Sequence, residues 1–81
     1  MLQKKKIPER SIERLSKYRR YLLALLKKNK YYVFSHEIAS SLNITSVQVR
    51  SDFMHIGYNG TNNKVYDVRE LIDTIGNVID D

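Results

Sequence analysis

A mainly α fold with one small β-hairpin, a winged helix-turn-helix, is what these 81 residues predict. Three observations carry the expectation. Two short helical patterns are joined by a tight turn at Asn43-Ile44, an Asn- and Gly-rich stretch follows them directly, and an amphipathic segment closes each end. The element order read from the chain is helix, short strand, helix, turn, helix, hairpin, helix.

The first helix follows a basic arm, residues 1–7, read as flexible. Pro8 suits a first helical turn, where its missing N–H costs nothing. Ile12, Leu15, Tyr18, Leu22, Leu25 and Leu26 then recur at three- and four-residue spacings, giving one apolar face to about Lys28, with Asn29 as the stop. Arg14, Lys17, Arg20 and Lys27 are assigned mostly to the other faces. Tyr31-Tyr32-Val33-Phe34 is β-prone. Ser35 is expected to cap a helix over His36–Leu42 that buries Ile38, Ala39 and Leu42 and ends at Asn43, a residue tolerant of the left-handed conformation. Thr45-Ser46-Val47-Gln48 has the form of a capping box, opening a third helix from about Ser46 to Gly57 whose core side is Val49, Phe53 and Ile56. Between Tyr58 and Tyr66, Asn59-Gly60 and Asn62-Asn63 supply turn residues, with Tyr58 and Lys64-Val65-Tyr66 as the two strands. Asp67, with Glu70 three residues on, caps a last helix from Val68 to about Ile79.

Length and composition bound the function. The chain is one domain, and at this size about 60% of the unfolded surface is buried, so the core is modest. There is no cysteine, which excludes disulfides, thiolate chemistry and cysteine-ligated metals. No apolar run approaches the ~20 residues of a membrane span, and no signal-peptide core follows the basic start, so the chain reads as soluble and cytoplasmic with no membrane partner. The net charge of +5 is unevenly spread. Residues 1–30 hold eleven Lys and Arg against two Glu, whereas residues 66–81 carry one Arg against five acids. A basic front suits a polyanion.

The third helix is the expected reader of double-stranded DNA, lying in the major groove over about 46–57. Its outward side is predicted to show Ser46, Val47, Arg50, Ser51, Met54 and His55, with Gln48 toward the edge. Arg donates two hydrogen bonds to guanine, Gln pairs with adenine, and Ser bonds base edges or phosphates. The hairpin, about 58–66, is the expected wing, with Asn62 and Lys64 on the minor groove or the backbone. Lys4, Lys5 and Lys6 are expected on phosphates or in a minor groove. Enzyme chemistry has no foothold. No nucleophile has a base beside it, His36 and His55 lack metal-ligand spacing, and Gly57, Gly60 and Gly76 form no phosphate loop. No catalytic or metal residue is therefore expected. The competing reading is a winged helix that binds proteins, docking through an apolar patch around Met54 and Tyr58, since fold does not fix function.

The segment Ile7-Pro8-Glu9-Arg10-Ser11-Ile12-Glu13-Arg14-Leu15-Ser16-Lys17-Tyr18-Arg19-Arg20-Tyr21-Leu22, the run Ser35-His36-Glu37-Ile38-Ala39, the run Gln48-Val49-Arg50-Ser51-Asp52, and Gly57, Gly60 and Tyr66-Asp67-Val68 together resemble the N-terminal part of the Rex redox-sensing transcriptional repressors. The resemblance covers nearly the whole chain. It implies a winged helix that binds a palindromic operator as part of a homodimer, followed by a Rossmann domain that binds NADH or NAD⁺ and controls release from DNA. That second domain is not within these 81 residues, so no cofactor is expected on them and dimerisation is expected to be weak or absent for this domain alone. Arg50 stands where the family has its recognition-helix Arg. Ser51 replaces the adjacent Lys of the family's Q-V-R-K-D, Thr61-Asn62 replace a wing Lys-Arg, and Asn59 replaces the second wing aromatic. Those departures remove three positive charges from the implied DNA face, and Lys64 compensates in part.

Overall fold

The computed structural model describes residues 9–58 and 65–80. Within them, four helices accompany a two-stranded antiparallel sheet: α1 (Glu9–Lys27), β1 (Tyr32–Phe34), α2 (Ser35–Leu42), α3 (Ser46–His55), β2 (Val65–Asp67) and α4 (Val68–Ile79). Pro8, the expected basic arm and the expected hairpin tip at 59–64 lie outside the described residues.

The apolar stripe of α1 buries Leu15, Tyr18, Leu22 and Leu25, and α4 faces it with Val68, Leu71 and Ile75. The pair forms the back of the domain, and Arg19 joins it to the end of α4 through Asp80 at 2.8 Å. Its helix ends follow the chemistry of their residues. Asn29 at φ 63° and Asn43 at φ 59° take the left-handed conformation that stops α1 and α2. Asp67 accepts the Glu70 N–H at 3.0 Å and starts α4, as its spacing predicts.

The start of α2 differs from expectation. Ser35 is its first residue and is buried, not a cap, and Phe34 holds the cap position. Phe34 has no side-chain acceptor, so the end is secured from the other side: Glu37 accepts the Phe34 N–H at 2.9 Å and pairs with Lys30 at 3.0 Å. Helix α3 ends at His55, two residues short of the expected Gly57, which instead turns the chain at φ 86°. Strand pairing also departs from the hairpin reading. Tyr58 is in no strand, and β2 pairs with β1, Val33 opposite Tyr66. This long-range pairing places Val33 and Tyr66 on the core side and Tyr32 and Phe34 outward. Phe53 of α3 sits in the centre, edge-on to Tyr18 and Tyr66 with ring centroids 5.0 Å away in each case.

Because Phe53 joins α1, α3 and β2, Phe53→Ala is expected to cost about 3–5 kcal/mol, the range for truncating a buried aromatic, and urea denaturation should show most of the stability of so small a domain gone.

Candidate nucleic-acid interface

Helix α3 owes its orientation to what lies on its inner side. Thr45 starts it by accepting the Gln48 N–H at 3.0 Å. The reciprocal half of the expected capping box is not made. The Gln48 side chain turns along the helix and donates to Asp52 Oδ1 at 3.0 Å. Asp52 is only 5% exposed, packed beside Val49 and Phe53. Arg14 of α1 reaches it with two hydrogen bonds, Nε to Oδ2 at 2.8 Å and Nη2 to Oδ1 at 3.0 Å, and the Tyr18 hydroxyl donates to the same Oδ2. A second hydrogen bond from Arg14 Nη2, to Ser11 at 3.3 Å, holds the guanidinium in place.

The electrostatics follow from this geometry. Burial pushes the Asp52 carboxyl up, but the hydrogen bonds from Arg14, Tyr18 and Gln48 and the Arg14 charge more than reverse it, so the group is held below the usual carboxylate range. Burial, then the adjacent carboxylate, raises the Tyr18 phenol well above the ordinary tyrosine range, so it stays a donor. Sequence periodicity misses this cluster, because it assigns Arg14 to an outer face of the first helix and nothing local pairs it with Asp52. A signal is nevertheless present. Residue 52 lies on the inward stripe with 49, 53 and 56, and an acid there requires a cation or donors from a facing helix.

With Val49, Asp52 and Phe53 turned inward, the opposite stripe of α3 faces solvent. Val47 and Met54 are each 66% exposed, His55 is exposed, and Ser46, Gln48, Arg50 and Ser51 are half-buried. His55 donates from Nδ1 to the Ser51 carbonyl at 2.9 Å, which fixes its ring along the helix end. Among the described residues no ion pair engages Arg50. The structure thus brings Ser46, Val47, Arg50, Ser51 and His55 onto one helix, with Gln48 at its edge and tied to Asp52. Lys4, Lys5, Lys6, Asn62 and Lys64 lie outside the described residues. Tyr58, expected near Met54 in an apolar patch, is half-buried; its hydroxyl accepts the Asp67 N–H at 3.1 Å and donates to Glu70 at 3.3 Å. Among the described residues no three His, Asp or Glu side chains gather as a metal site, and no helix is long and apolar enough to cross a membrane.

Comparison with known proteins adds three findings. The sequence profile described as "Putative DNA-binding protein N-terminus" matches residues 6–53. Among curated proteins, the chain is 47% identical over 68 residues to the redox-sensing transcriptional repressor Rex of Carboxydothermus hydrogenoformans, covering 84% of this chain and 33% of that protein. It is 44% identical over 66 residues to the Rex of Syntrophomonas wolfei, covering 82% and 31%. The chain therefore spans about a third of the length of these relatives. Among solved structures it is similar to RSP in complex with beta-NAD⁺ and operator DNA, with a TM-score of 0.84 and 30% identity over 94% of this chain and 35% of that one. A structure of RSP described as a Rex-family repressor matches with a TM-score of 0.79 and 30% identity over 95% and 34%.

Two outcomes are expected for the Asp52 cluster. Asp52→Ala should lower stability by about 1–3 kcal/mol, because it leaves the buried Tyr18 hydroxyl without its acceptor, while the part-exposed Arg14 guanidinium can turn to water. The folded carboxyl is depressed, so its contribution is present above the unfolded carboxylate range and is lost as pH falls through the folded value. Chemical denaturation across pH 2–6 (about two units either side of an ordinary carboxyl) should show that acid limb, and Asp52→Asn should shrink it to the part due to Glu37, whose carboxyl the Phe34 N–H and Lys30 also hold down.

Proposed function

The chain belongs to this family of DNA-binding-protein N-termini, and from that premise we propose that it is the sequence-specific DNA-binding module of a redox-sensing transcriptional repressor working in the cytoplasm. The observation that carries the reading is the outward stripe of α3. It presents Arg50 and Ser51, free of any described acid, on a helix whose inner side is fixed by Asp52 and Phe53. A helix so held can enter a major groove with its side chains already oriented, and an Arg there suits the two acceptors of a guanine edge. The RSP structure with operator DNA supports the same use of this fold.

The basic front supplies the nonspecific part of the affinity. Eleven Lys and Arg in the first thirty residues, Lys4, Lys5 and Lys6 among them, attract phosphates. On this reading the wing residues Asn62 and Lys64 meet the backbone or minor groove beside the reading helix. The target is a palindromic operator bound by a homodimer of the longer repressor, and these 81 residues alone dimerise weakly or not at all. Gln48 acts here more as a brace for α3 than as a free base reader, since its amide is committed to Asp52. Protein docking through Met54 and Tyr58 is disfavoured, because the half-buried Tyr58 ring packs against Tyr66 within the domain and leaves Met54 without it.

The residues of this chain do not fit a dinucleotide. Its three glycines are spaced 57, 60 and 76 and form no pyrophosphate loop. Redox response belongs, on this reading, to a part of the longer repressor outside these residues.

Titration into a fluorescent palindromic duplex and a scrambled duplex at two salt concentrations tests the proposal. The palindrome should bind more tightly, affinity for both should fall as salt rises, and Arg50→Ala should cost about 1–3 kcal/mol on the preferred duplex only. Equal binding of both duplexes by the parent chain would contradict sequence-specific reading. NADH or NAD⁺ added to the 81-residue chain should leave both affinities unchanged.

A further inference from the structure

Val47 and Met54 pose a question that the Arg50 contact does not answer. In a small domain with a modest core, two large apolar side chains on one helix are left two-thirds exposed. They are seven residues apart, so they share a stripe, and Arg50 and Ser51 lie between them at the third and fourth positions. No acid shares that stripe, because the one carboxylate of α3, Asp52, is turned inward and held by Arg14 and Tyr18. The surface on offer is therefore apolar, cationic, apolar along one line.

A DNA major groove matches that order. Its edges carry acceptors for a cation, and of the four bases only thymine adds an apolar group there, the 5-methyl. Seven residues of helix rise about 10.5 Å, close to three base-pair steps of about 3.4 Å. Val47 is β-branched and stiff, suited to one fixed contact near the start of the helix. Met54 is unbranched and adaptable, suited to the far end, where the helix axis and the groove diverge.

We propose that Val47 and Met54 read thymine methyl groups, about three base pairs apart, on either side of the base pair addressed by Arg50. The proposal rests on the DNA-binding reading above and specifies which groove features that helix selects. It gives the two residues a role in specificity and none in folding.

The test starts from a random duplex library selected with the 81-residue chain at low salt. The enriched duplex is then remade with single thymines replaced by deoxyuridine, which removes only the methyl group. The expected motif holds a guanine bracketed by thymines about three base pairs apart. Losing either methyl should weaken parent binding about fourfold, the worth of one buried methyl group. Val47→Ala should abolish the penalty at one thymine and Met54→Ala at the other, with thermal melting of both variants unchanged because the side chains are exposed. An enriched guanine motif in which deoxyuridine is neutral would overturn the proposal while leaving the DNA-binding reading intact. So would a deoxyuridine penalty that persists undiminished in both variants. Selection that enriches no sequence would overturn both.

Discussion

A buried carboxylate, that of Asp52, is the constraint on which the arrangement of this domain depends. Removing a charge from water is costly, and the cost is met only when donors surround it. Here the donors come from two helices distant in sequence: Arg14 and Tyr18 on α1, and Gln48 one turn back on α3. The acid is satisfied in one relative placement of the two helices. Among the described residues no buried side-chain polar atom lacks a partner. Apolar packing by Val49 and Phe53 would tolerate sliding and rotation of α3; a forked guanidinium and a phenol aimed at two carboxylate oxygens tolerate much less.

Function follows from the same constraint. Fixing which side of α3 faces inward also fixes which side faces out, and so places Val47, Arg50, Ser51 and Met54 on the solvent stripe. The rest of the fold supports that placement from behind. Helices α1 and α4 form a packed back, and the β1–β2 pair sets Tyr66 against Phe53. Cationic side chains of α1 that are not used in binding Asp52 or Asp80 add to the basic front.

Much of this was legible in the sequence, and the parts that were not share a cause. Helix starts and stops set by a local side chain were readable: Thr45 before α3, Asp67 before α4, and Asn29 and Asn43 in the left-handed conformation. The apolar sets of α1 and α4 followed from their spacing, except for Ile12, expected on the apolar face but exposed near the start of α1, before the helix meets its partners. Misreadings arose where a distant partner outcompeted a local rule. Gln48 was expected to complete a capping box and instead serves Asp52, since a buried acid is a stronger acceptor than an exposed backbone end is a requirement. Ser35 was expected to cap α2, but the strand pairing of β1 with β2 carries it into the core and leaves Phe34 at the cap, secured by Glu37. The partner of β2 is likewise not the adjacent Tyr58 but β1, more than thirty residues away. Of the candidate site, the α3 residues were legible because opposite faces follow from helical periodicity. The Arg14–Tyr18–Asp52 cluster that orients them was not, because nothing local pairs residues of α1 with residue 52.

On the reading proposed above, the outward stripe of α3 is the surface that meets DNA. An amide chemical-shift titration of the isotopically labelled chain with a duplex reports directly on which residues are touched. The largest changes are expected over Ser46–His55, strongest at Val47, Arg50, Ser51 and Met54, with α4 and the outer side of β1 little affected. Changes centred on Tyr32 and Phe34, or on α4, with α3 silent would contradict it.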